Sequence, residues 1–132
     1  MRSLAAAGLL ALALGGCAAV PGAGEGCSPR VVERLYFGLS MPAGEVTPDQ
    51  WQSFVDGEIT PRFPAGLTTW EGQGQWRGSD GKLTRERTRI LEIVHAGGEP
   101  QTHRLEEIVS AYRTRFHQES VLRVRGSALA CF

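Results

Sequence analysis

Between residues 31 and 39 apolar and polar positions alternate, with Leu35, Phe37 and Leu39 on one parity and Arg34 and Tyr36 on the other. A period of two marks a strand with one buried face. The run Val46-Thr47-Pro48-Asp49-Gln50-Trp51 then carries the devices that start a helix: Thr47 as N-cap, Pro48 at the first helical position, Gln50 closing a capping box and Val46 stapled against Trp51. Trp51, Phe54, Val55 and Ile59 fall at helical spacing and predict a core stripe, which Pro61 and Pro64 bring to an end. Residues 67–77 and 87–95 flank the turn cluster Gly78-Ser79-Asp80-Gly81 and predict a hairpin, its first strand weakened or bulged at Gly72 and Gly74. Leu105, Ile108, Val109, Tyr112 and Phe116 line one side of a second helix, behind the break at Gly97-Gly98-Glu99-Pro100. Residues 121–125 alternate again as a last strand.

The order β-α-β-β-α-β is the split βαβ of the ferredoxin-like sandwich, an α+β fold with an antiparallel four-stranded sheet and two helices on one face. In that topology the last strand returns beside the first, and Cys27 and Cys131 stand at those two places. A disulfide between them is predicted, closing a loop of about 100 residues and contributing roughly 4 kcal/mol.

The first 28 residues differ in character. Arg2 is followed by an apolar stretch over residues 4–14 and by Leu14-Gly15-Gly16-Cys17. These are the parts of a secretory signal, too short for the roughly 20 apolar residues of a membrane span. The four-residue run resembles the bacterial lipobox, which implies removal of residues 1–16 and lipid on Cys17. More than one acyl chain anchors a protein stably to a membrane. Ala18 at the following position implies, within that resemblance, the outer membrane, facing the periplasm. Residues 17–28, made of Ala, Gly, Pro and single polar residues, read as a flexible tether, leaving residues 29–132 as a single domain. With Cys17 consumed by lipid in an oxidising compartment, Cys27 and Cys131 are an even pair.

The 14 basic and 14 acidic residues balance, and loss of residues 1–16 removes only Arg2, so the mature chain has a formal charge of −1. That leaves no electrostatic case for nucleic acid or another polyanion.

Leu35-Tyr36-Phe37-Gly38, the Thr47-Pro48-Asp49-Gln50-Trp51 helix start, the run from Thr60-Pro61-Arg62-Phe63-Pro64 through Ala65-Gly66-Leu67-Thr68, and Gly74-Gln75-Trp76-Arg77 resemble the bacterial family known as domain of unknown function 3574. The resemblance spans about residues 33–131 and implies a short exported protein without an assigned activity. It implies no catalytic residue, cofactor or metal.

Candidate chemistry therefore rests on the residues themselves. His95, His103 and His117 fall at a strand end, a helix start and a helix end, with no metal-ligand spacing. No serine sits in a nucleophile elbow, and Gly72-Gln73-Gly74 lies in a strand, where a phosphate loop would open a helix. Glu106 and Glu107 are adjacent on a helix and read as solvated surface, and Arg62, between Pro61 and Phe63, reads as a structural ion pair before a ligand-binding group. If Leu35, Phe37, Leu122 and Val124 face the helices, then Arg34, Tyr36, Arg123 and Arg125 share the open face of the sheet. Such a patch suits self-association, an envelope partner, or an anionic or aromatic ligand.

The sequence leaves enzymatic activity uncertain, with the balance against it. Its first reading is a non-enzymatic binding or interaction module of the envelope, tied to the membrane through Cys17. The alternative is a small dimeric enzyme or ligand-sequestering protein, with a pocket between paired sheets near Tyr36, Trp70 and Trp76.

Overall fold

The computed structural model describes residues 26–132. The expected signal peptide, the lipidated Cys17 and the tether up to residue 25 lie outside the described residues. Strand β1 (Cys27–Gly38) is followed by a two-residue pair of strands, β2 (Ser40–Met41) and β3 (Gly44–Glu45), then helix α1 (Pro48–Phe54) and a π-helical turn (Val55–Ile59). Next come β4 (Thr68–Arg77), β5 (Leu83–His95), helix α2 (Glu99–Phe116) and β6 (Leu122–Cys131). The main sheet has the order β4-β5-β1-β6 with every neighbour antiparallel, the ferredoxin-like arrangement.

The start of α1 forms as its residues dictate. Gln50 N–H donates to Thr47 Oγ1 at 3.2 Å, Thr47 N–H donates to Gln50 Oε1 at 2.9 Å, and Val46 and Trp51 are both buried. The predicted stripe continues through the π-helical turn, where Thr60 N–H donates to Val55 O. Leu105, Ile108, Tyr112 and Phe116 bury the inner face of α2, and His117 ends it in the left-handed conformation at φ 53°. The core joins these side chains to Leu35, Phe37, Leu91 and Ile93 of the two central strands. Phe37, Phe54 and Tyr112 stack edge to face, and the Tyr112 hydroxyl donates to Gly38 O at 2.7 Å.

β1 begins at Cys27, two residues before the expected domain start, and its first four residues pair only with β6. Pro29, which lacks an N–H, thus lies where one side of the strand has no neighbour in the sheet. Cys27 and Cys131 are directly opposed and form a disulfide across a sequence separation of 104. Phe132 N–H donates to Gly26 O in the adjacent pair. The cysteines are therefore the next, non-hydrogen-bonded pair, where Cα atoms come closest.

The register between β1 and β6 overturns the expected partition of the sheet. Leu35 is opposite Arg123 and Glu33 opposite Arg125, so both arginines share the helix-facing side with Leu35 and Phe37. Leu122 and Val124 instead share the open face with Tyr36 and Arg34. A one-residue slip reverses every side chain of a strand. The cause here is Glu33, which is wholly buried on the inner face. Arg123 grips it with both ends of its guanidinium, Nε to Oε2 at 2.9 Å and Nη2 to Oε1 at 2.8 Å, and Arg125 Nε stands 3.5 Å from Oε1. A buried carboxylate without cations would be far costlier than two exposed aliphatic side chains on an open face.

Candidate functional site

The open face of the sheet is built in rows of directly opposed residues. Val94 and Val32 make one row, and Thr68, Glu92, Arg34 and Val124 the next, with Arg34 Nε bonded to Glu92 Oε2 at 2.6 Å. The third row is apolar and aromatic, running Trp70, Ile90, Tyr36, Leu122 across all four strands. Beyond it the face is hollow, because the fourth row is Gly72, Thr88 and Gly38, and Gly74 lies opposite Glu86 in the fifth.

These glycines do not mark a bulge, since the pairing of β4 with β5 is continuous from Thr68 to Arg77. They clear the floor of a cavity of about 340 Å³. A Cβ on Gly72 would meet Ile90 Cδ1 at 2.9 Å, and one on Gly38 would fall 2.6 Å from Glu86 Oε1. Tyr36, Trp76, Ile90 and Leu122 supply aromatic and apolar wall, and residues 118–120 of the loop between α2 and β6 form the rim. Gln118 Nε2 donates to Ser40 O at 2.5 Å, which ties that loop to the segment leaving β1.

Glu86 is held on both oxygens. Trp76 Nε1 donates to Oε1 at 2.7 Å and Ser40 N–H to Oε2 at 2.9 Å, so carboxylate and indole fix one another across the β4–β5 hairpin. Thr88 Oγ1 donates to Phe37 O and holds the floor strand in place. Glu119, on the rim, is the second acid among the residues lining the cavity.

The four residues expected to form one patch are thus divided. Tyr36 lines the cavity, Arg34 sits one row away paired with Glu92, and Arg123 and Arg125 are on the opposite face holding Glu33. Of the three aromatics expected at a pocket, Tyr36 and Trp76 line it, while Trp70 stands in the adjoining row, 41 % exposed. Glu33, Glu86 and Glu119 carried no expectation, and Gly72 and Gly74 were expected only to weaken or bulge their strand. One signal was available: Gly72 and Gly74 share the parity of Trp70 and Trp76, so the missing side chains fall on a single face.

The remaining candidates are structural. Arg62 Nε donates to Glu107 Oε2 at 2.9 Å, and its Nη1 to Glu58 O at 2.8 Å and Glu58 Oε2 at 3.0 Å, which joins the π-helical turn to α2. The Arg62 hydrogen bond holds the Glu107 carboxyl below its ordinary range. His95 is buried, with Gly97 N–H donating to its Nδ1 and its Nε2 3.9 Å from Glu33 Oε1. Burial pushes its pKa down; Glu33 opposes the shift, and Arg125 and Arg123 add to it. His103 pairs with Glu107 at the helix surface. Among the described residues no three His, Cys, Asp or Glu side chains converge as a metal site would require.

Two solved structures of a phage SAM lyase have this fold. The complex with S-methyl-5'-thioadenosine superposes with a TM-score of 0.60 over 78 % of this chain and 90 % of that one, at 15 % identity. The apo state gives 0.55 over 77 % and 89 %, at 17 % identity. The expectation of a non-enzymatic interaction module is corrected at this point. It rested on the lack of a catalytic motif and on a patch of Arg34, Tyr36, Arg123 and Arg125 on the open face, whereas that face is hollowed and solved structures of the same fold are those of an enzyme. No curated protein matches the sequence. A family of proteins of unknown function, DUF3574, matches residues 32–132, and the chain belongs to that family.

Proposed function

We propose that this protein is a small-ligand protein of the bacterial envelope, an enzyme or a sequestering protein, whose site is the cavity on the open face of its sheet. The observation that carries the reading is the glycine-cleared floor walled by Tyr36 and Trp76, with Glu86 locked in place beside it. A concave, largely apolar site with a few fixed polar groups is what small-molecule recognition requires, and about 340 Å³ falls within the range of such sites. The phage lyase of the same fold was solved with a small molecule, S-methyl-5'-thioadenosine, bound.

Trp70, Val94, Leu122 and Val124 are each more than 40 % exposed on the same open face of the sheet. Apolar residues clustered on one face favour burial against another surface. In this reading the sheet of a second copy roofs the site, and lipid on Cys17 holds the assembly at the outer membrane, facing the periplasm.

Gly74→Val tests the site without straining the fold. A Cβ at Gly74 meets nothing closer than 3.6 Å, and Val favours a strand. A fragment screen by thermal shift, with S-methyl-5'-thioadenosine included, should give ligands that stabilise the wild type and fail to stabilise G74V. Ligands that stabilise both proteins equally would place binding elsewhere and refute the reading.

A further inference from the structure

The charge of the cavity narrows what it takes. The described residues lining it include two carboxylates, Glu86 and Glu119, and no Lys, Arg or His. The nearest arginine on the same face, Arg34, is one row beyond Tyr36 and already bonded to Glu92. Arg85, Arg87 and Arg89 alternate onto the other face of β5, where Gln75 accepts from Arg85, and Glu71 pairs with Arg87 and Arg89. The wall thus combines negative charge with two aromatic side chains. Trp76 joins the two kinds of group directly, its indole N–H bonded to Glu86 Oε1.

Aromatic faces attract cations through the ring quadrupole, and more strongly in a desolvated site. A carboxylate fixed by two donors adds a directed charge that need not reorganise on binding. An anionic ligand would meet two carboxylates here with no partner for its own charge, a desolvation cost without compensation. Resting on the small-ligand reading above, we infer that the cavity selects an organic cation, an ammonium or sulfonium centre on an apolar or aromatic body. The ring walls and Ile90 take the body, and Glu86 and Glu119 take the charge.

Matched probes test this on the mature chain by calorimetry. S-methyl-5'-thioadenosine is neutral, and its S-methylated dimethylsulfonium derivative differs by one methyl group and one positive charge. Benzyltrimethylammonium supplies a cation without a nucleoside. At least one of the two cations should bind, and the sulfonium should bind about tenfold more tightly than the neutral thioether. Glu119→Gln, on the exposed rim, should shrink that preference several-fold. Glu86→Gln should shrink it further.

Equal or tighter binding of the neutral thioether overturns the charge inference and leaves the small-ligand reading standing, provided that Gly74→Val abolishes the binding. Binding of neither cation overturns the inference as well. Cation binding unchanged in Gly74→Val means a surface site, and both readings fail together.

Discussion

Replacing Arg123 with Met removes the only side chain that contacts both oxygens of Glu33 at hydrogen-bond distance among the described residues. Glu33 is wholly buried, so the carboxylate left behind cannot reach water without opening the sheet. Breaking a buried pair from one side costs about 3–5 kcal/mol, because the remaining charge is uncompensated. Arg125, half exposed with Nε 3.5 Å from Glu33 Oε1, recovers part of this, so the lower end is expected, about 3 kcal/mol. That is a large share of the roughly 5–15 kcal/mol that holds a domain folded. Urea unfolding of the oxidised protein, followed by circular dichroism, measures it directly. Arg125→Met should cost less than about 1 kcal/mol, as expected of a half-exposed, longer pair. The double variant Glu33→Leu with Arg123→Leu should be far more stable than R123M, since an apolar pair of similar bulk carries no desolvation penalty. If R123M unfolds within about 1 kcal/mol of wild type, Glu33 is not committed to Arg123 and the register argument is wrong.

Two further outcomes follow from the same face of the sheet and its end. Reducing Cys27–Cys131, or replacing both with Ser, should lower stability by roughly 4 kcal/mol without changing ligand binding, because the bond closes nearly the whole domain far from the cavity. Retention of full stability after reduction would mean that the pair does not constrain the unfolded chain. His95 has a pKa depressed by burial, so the unfolded chain takes up a proton first as the pH falls. Its contribution is complete above the unfolded value of about 6.5 and is lost as the pH drops from there toward the lower folded value. Midpoints of urea unfolding between about pH 7 and pH 5 should fall in wild type and fall less in His95→Gln; parallel curves would contradict the assignment.

Much of the architecture was legible because local chemistry and tertiary placement agree. The Thr47–Gln50 capping box, the α2 stripe and the Gly78–Gly81 turn cluster specify their elements without help from distant residues. The topology they imply brings Cys27 to Cys131. The face of β6 was not legible from its own alternation, because Leu122 and Val124 are the apolar parity and nevertheless point outward. The decisive residue lies on another strand: Glu33 shares the parity of Leu35 and Phe37, and a carboxylate placed there needs cations on the same face. The cavity was only half legible. Tyr36 and Trp76 could be seen as aromatics on strands, but the hollow comes from side chains that are absent at Gly38, Gly72 and Gly74, and its rim from a loop with no pattern. The small β2–β3 pair left no signal, being two residues on each side.

The most direct measurement is a non-reducing native mass spectrum of the protein isolated from the cells that make it, compared with Gly74→Val prepared in the same way. The account predicts that the wild type carries an additional small-molecule mass, cationic once released, which is missing from the variant while the disulfide is intact in both. A wild type with no retained mass under conditions that preserve the folded assembly, or the same mass on the filled-cavity variant, would contradict it.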